Sequence, residues 1–151
     1  MILPASSNAQ YTGSLWSARF LMAYGCLELA PGLIHYVLPD GGAGVIAGLD
    51  LSSNRATVVG TFAWMGSMQI PFGIALIIIG WRYRALVPLF LLVALLERVL
   101  MVLAGWVLRP STTGHHPPEH YGSVVAVLLI AVFLYLSLKT PPTPEAGRGA
   151  S

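Results

Sequence analysis

The chain has 151 residues, of which 56% are hydrophobic and only 9% charged. Ordinary soluble domains carry about 25% charged residues, so a typical soluble globule is excluded, and a disordered chain would be richer still in charge. Eight Lys and Arg against six Asp and Glu leave a formal net charge of +2, too small and too dispersed for a nucleic-acid footprint.

In chain order, residues 1–14 are a polar N-terminal segment with neither the basic start nor the apolar run of a cleavable signal peptide. A membrane-crossing helix needs about 20 mostly apolar residues, and four segments qualify. The first, 15–38, carries Arg19, Glu28 and His35; the second, 56–80, carries no charge. The third, 85–108, is interrupted only by Glu97 and Arg98, and the fourth, 121–138, is apolar without a break from Val124 to Leu136. Residues 39–55 hold Gly41, Gly42, Gly44 and Gly48 and read as a flexible turn, without the Lys-Ser/Thr of a phosphate loop. Trp81 to Arg84 is a tight turn that makes spans two and three antiparallel neighbours, and 109–120 is a loop rich in Pro and His. Residues 139–151, with Thr-Pro-Pro-Thr-Pro, read as a flexible tail. Continuous apolar runs argue against a membrane barrel, whose strands alternate.

Lys and Arg favour the cytoplasmic side of short loops. Arg19, Arg82, Arg84, Lys139 and Arg148 fall on one side, Arg55 and Arg109 on the other. The expected protein is therefore an all-α, integral membrane four-helix bundle, up-down-up-down, with both termini cytoplasmic, in a bacterial inner membrane. Trp16 and Trp81 then sit at the inner interface and Trp106 at the outer one.

This arrangement sorts the ionisable groups by depth. Glu28 and Glu97 fall near the midplane, where a charge costs roughly 2.5–3.5 kcal/mol on insertion scales; such groups face the bundle interior and find partners. Glu28 shares a helical stripe with Tyr24, Gly25, Gly32 and His35, and Pro31 removes the donor to the Leu27 carbonyl. Span two offers a matching stripe of Gly60, Trp64, Ser67 and Pro71. Glu97 and Arg98 are consecutive and point about 100° apart, so one of them reaches a neighbouring helix, and Arg98 with Glu28 is the simplest charge-balanced match. A structural ion pair, a proton or ion path through Glu28 and Glu97, and a bound lipid, quinone or partner subunit are the readings of these acids. Cys26, the single cysteine, excludes an intramolecular disulfide and reads as apolar packing inside span one.

The outer loop runs His115-His116-Pro117-Pro118-Glu119-His120. Imidazole and carboxylate together suit a divalent transition metal, and His35 arrives at the same side from the end of span one. His35, His115, His116, Glu119 and His120, with Asp40 as a further donor, are the candidate ligands for such a metal. Bis-histidine haem through His35 and His120 is a variant of that reading. The spacing matches no defined zinc motif, and a structural loop is the plainer alternative.

The first span reads Arg19-x5-Gly25-x6-Gly32-x2-His35-x3-Pro39, which resembles the opening helix of DoxX-like bacterial membrane proteins. The resemblance implies a four-helix inner-membrane bundle and, in some members, an accessory subunit of quinone-linked oxidoreductases. Glu28 and the His-rich loop stand outside that pattern. The reading that results is a non-catalytic accessory or scaffold protein packing against other membrane subunits or itself. The alternatives are a metal- or haem-binding membrane protein and a small proton-coupled carrier.

Overall fold

A computed structural model describes residues 2–111 and 114–139; the expected flexible tail, apart from Lys139, lies outside them. The described chain is helical. Four helices dominate: α1 (Leu15–Val37), α2 (Arg55–Arg82), α3 (Val87–Leu103) and α4 (Pro118–Leu138). A 3-10 turn at Arg84–Leu86 leads into α3, which continues as a π-helical turn at Ala104–Leu108. With these extensions, all four are long and apolar enough to cross a membrane. No more than 33% of any span's most apolar stretch is buried within the bundle, so most of its apolar surface needs an apolar solvent. Trp64, Leu92 and Leu128 are among the many large apolar residues pointing outward, a surface that no soluble monomer presents.

Local chemistry fixes the helix ends. The Ser14 side chain accepts from the Trp16 amide at the start of α1. Pro118 opens α4 where its missing N–H costs nothing, so the helix begins three residues before the expected 121 and carries Glu119 and His120 in its first turn. Helix α2 likewise overruns the expected 56–80 at both ends. The N-terminal segment is tied down: the Ser7 amide donates to the Arg82 carbonyl (3.2 Å) and Asn8 Nδ2 to the Trp81 carbonyl (2.9 Å). The Ser14 amide donates to the Leu136 carbonyl (3.3 Å) and Ser17 Oγ to that of Phe133 (2.8 Å), which joins the start of α1 to the end of α4.

The tightest contact is α1 against α2, and glycine makes it possible. Gly66, Gly73 and Gly80 recur every seven residues on α2 and meet Gly25, Gly32 and Ala18 of α1. A Cβ on Gly66 would lie 2.6 Å from the Gly32 carbonyl oxygen, and one on Gly73 would lie 2.7 Å from that of Gly25. Small residues at such spacing let two backbones touch, the packing that replaces the hydrophobic effect between helices in lipid. The expected α2 stripe was the other one. Gly60, Trp64, Ser67 and Pro71 all face outward, and a Cβ at Gly60 would meet nothing within 4 Å. Cys26 also faces outward rather than packing inside. Leu21, Leu76, Val87, Leu91 and Ile130 are the largest fully buried apolar side chains.

The glycine-rich loop is built rather than slack. Gly41, Gly42 and Gly48 adopt positive φ, which side chains with a Cβ resist. The Asp40 carboxylate accepts from the amides of Gly42 (2.9 Å), Gly44 (3.1 Å) and Val45 (3.0 Å). These bonds, Val45's foremost, hold its carboxyl below the ordinary value of 3.8. A carboxyl depressed by folding stabilises the fold above its unfolded pKa and loses that contribution as pH falls through the folded value. The loop should therefore be fully ordered at neutral pH and loosen below about pH 4. Asp40→Ala should loosen it at neutral pH and remove the acid dependence, read as faster hydrogen exchange at Gly42 to Val45 after correction for intrinsic rates.

Candidate functional site

Among the described residues the bundle buries one charged cluster. Arg98, on α3, ion-pairs with Glu28 on α1 through Nη2 and Oε1. Its Nε donates to the Tyr24 hydroxyl, one turn before Glu28, and the guanidinium also lies 5.6 Å from the Tyr24 ring centre. Its Nη1 donates to Ser123 Oγ on α4 (3.3 Å) and lies 3.6 Å from Glu119 Oε1. Glu28 is 0% and Arg98 7% exposed. A guanidinium presents five N–H donors in a planar fork, which suits it to bind three helices at once. Arg98 thus gathers α1, α3 and α4 around one side chain.

The match of Arg98 with Glu28 follows from charge balance. The roles of Ser123 and Glu119 do not. Glu119 was expected as a loop ligand; because α4 begins at Pro118, it becomes a first-turn residue facing Arg98. Ser123 follows it at i+4, on the same helical face, and that spacing is the signal that could have found the pair. Glu97 takes no part. It faces the α2 side of α3 beside Met68, Gln69, Phe72 and Val93, and its Oε2 has no hydrogen-bond partner among the described residues. The two deep acids therefore sit in different surroundings, one paired and one not.

The five candidate metal ligands are divided among separate places. His35 Nδ1 lies 2.7 Å from the Gly41 carbonyl oxygen, so that nitrogen carries the proton and donates; the ring stands edge-on to Phe62 at 5.0 Å. His115 Nε2 is likewise held by the Ala47 carbonyl at 2.8 Å, joining the two longer loops. His116 and His120 bond to each other through their Nδ1 atoms at 3.1 Å. Trp106 stacks on His116 at 4.2 Å and its indole N–H donates to the His120 carbonyl (3.4 Å). Glu119 is turned toward Arg98, and Asp40 toward its own loop amides. Among the described residues no three His, Cys, Asp or Glu side chains come together to hold a metal ion. The physical reason is that backbone carbonyls and neighbouring rings claim the imidazoles one by one, and helix α4 carries Glu119 and His120 off on different faces.

The π-helical turn supports the aromatic part of this arrangement. The Arg109 amide reaches back five residues to the Ala104 carbonyl (2.8 Å), widening the last turn of the third span. At Gly105 a Cβ would lie 3.0 to 3.2 Å from the His120 ring, so glycine lets that imidazole lie flat against the helix. No protein-family model, curated protein or solved structure matches the chain.

Proposed function

We propose that the chain is a multi-pass protein of a bacterial inner membrane, an up-down-up-down bundle with both termini cytoplasmic, acting as a non-catalytic accessory or scaffold subunit. The observation that carries this reading is the use made of buried charge. Arg98 is divided among Glu28, Tyr24, Ser123 and Glu119, all within the bundle, so its strongest polar groups hold helices to one another. The up-down order is supported by the ties between the N-terminal segment and the α2–α3 turn, and between the start of α1 and the end of α4. The orientation rests on the excess of Lys and Arg on the side of the termini. The likeness of the first helix to DoxX-like proteins favours the same accessory role.

Association with other membrane subunits, or with a second copy, is supported by glycines left without neighbours. Gly60 on α2 and Gly122 on α4 face open space, with nothing within 4 Å of an added Cβ, and outward glycines admit a second helix closely. A photo-cross-linking residue at Val125, beside Gly122 on the exposed face of α4, should give a discrete adduct in native membranes. Gly122→Leu should abolish that adduct without lowering the amount of protein. A chain that yields no adduct and runs as a monomer in mild detergent is not a subunit or scaffold.

A further inference from the structure

Helix α2 packs along α1 and α3 packs along α4, while α2 and α3 touch little beyond the turn that joins them. The cleft left between them has a volume of about 310 Å³ and is lined by Met68, Gln69, Phe72, Val93 and Glu97. Three of these walls are apolar and two are not. Gln69 is 8% exposed, and its side-chain carbonyl oxygen has no hydrogen-bond partner among the described residues; nor has Glu97 Oε2. Two buried oxygens without donors are costly in a polar-poor medium, and more so where the bilayer core supplies no water. A volume near 300 Å³ with apolar walls and a few convergent polar groups is the form of a small-molecule site.

We propose that this cleft binds a membrane-dissolved alcohol or phenol, apolar along its length, whose hydroxyl donates its one hydrogen to Gln69 Oε1 and accepts from the neutral carboxyl of Glu97. The Gln69 carbonyl oxygen can only accept, so the occupant must bring a donor. A neutral hydroxyl enters an apolar cleft at far lower desolvation cost than an ammonium group. Met68, Phe72 and Val93 then cover the hydrocarbon part, with the flexible thioether of Met68 adapting to its shape. The cleft would hold such a molecule whether or not the chain has a partner subunit.

The test uses the full chain in phosphatidylcholine nanodiscs and dicyclohexylcarbodiimide, an apolar reagent that modifies carboxyl groups reachable from hydrocarbon. Mass spectrometry should place the adduct on Glu97 and not on Glu28, which the ion pair encloses. 4-Octylphenol should suppress that adduct saturably. 4-Octylanisole, the same frame with the donor replaced by a methyl ether, should need about tenfold more, as should the phenol acting on Gln69→Leu. Independently of labelling, the phenol should raise the Tm of the native chain and not that of the Gln69→Leu/Glu97→Leu variant. Equal effects of phenol and anisole, no protection by either, or a phenol effect that survives in the double variant would overturn the proposal. So would a cleft already closed to the reagent in native membranes and opened by detergent, because a protein helix would then be its occupant.

Discussion

Arg98→Met alone should destabilise the bundle by about 3–5 kcal/mol, and Glu28→Leu alone by a similar amount, because each leaves a buried charge without its partner. The double variant should recover most of that loss, since replacing a buried pair by apolar residues of similar size is often neutral or stabilising. Arg98→Met also strips the donors from Tyr24 and Ser123 and frees Glu119, so it should be the worse of the two single changes. A double-mutant cycle on thermal or denaturant unfolding in detergent measures the coupling, which these costs put above the about 0.5–3 kcal/mol usual for residues in one network. Coupling indistinguishable from zero would mean that the two groups do not act as a pair. Glu97→Leu, by contrast, removes no observed ion pair and should leave unfolding unchanged or slightly delayed.

Gly66→Ala and Gly73→Ala should each cost about 1–3 kcal/mol, the range for overpacking a close contact. The clash at both positions is with backbone: the Gly32 carbonyl oxygen and Tyr36 amide for one, the Gly25 carbonyl oxygen and Leu29 amide for the other. Backbone cannot rotate away as a side chain can, so α1 and α2 must separate. That separation is shared, and the Gly66→Ala/Gly73→Ala double variant should cost less than the two changes added. Gly60→Ala is the internal control. It meets open space, gains helix propensity worth about 0.5–1 kcal/mol, and should leave the bundle as stable as before or more so. The reverse ranking would put the Gly60 stripe, and not the Gly66 stripe, against α1.

Two stripes of α2 carry small residues, and only one of them meets α1. The heptad Gly66, Gly73, Gly80 stands in the sequence as plainly as Gly60, Trp64, Ser67 and Pro71, and both carry small residues. In a soluble helix the apolar stripe would choose between them. Helix α2 is apolar on every side, so hydrophobicity does not distinguish the face that meets protein from the face that meets lipid. Cys26, flanked by apolar residues, reads as inward packing for the same reason, and it faces outward. The loop histidines illustrate a different limit. Residue type suggests coordination, but which carbonyl takes each imidazole depends on how the chain folds back. His35 with Gly41 is settled within six residues, whereas His115 with Ala47 spans 68 residues.

Four long apolar helices with little charge in them are legible in the residues alone. So is the need to keep Glu28 and Arg98 away from lipid, because length, hydropathy and the cost of an unpaired charge act locally along the chain. The folded bundle alone brings Arg98 to α4, places Glu119 beside that cluster and leaves Glu97 facing a cleft with Gln69. Those outcomes depend on helix rotation and pairing, which in an apolar solvent are set by close packing of small residues and by hydrogen-bond geometry. Neither is written in the periodicity of a chain that is hydrophobic all round.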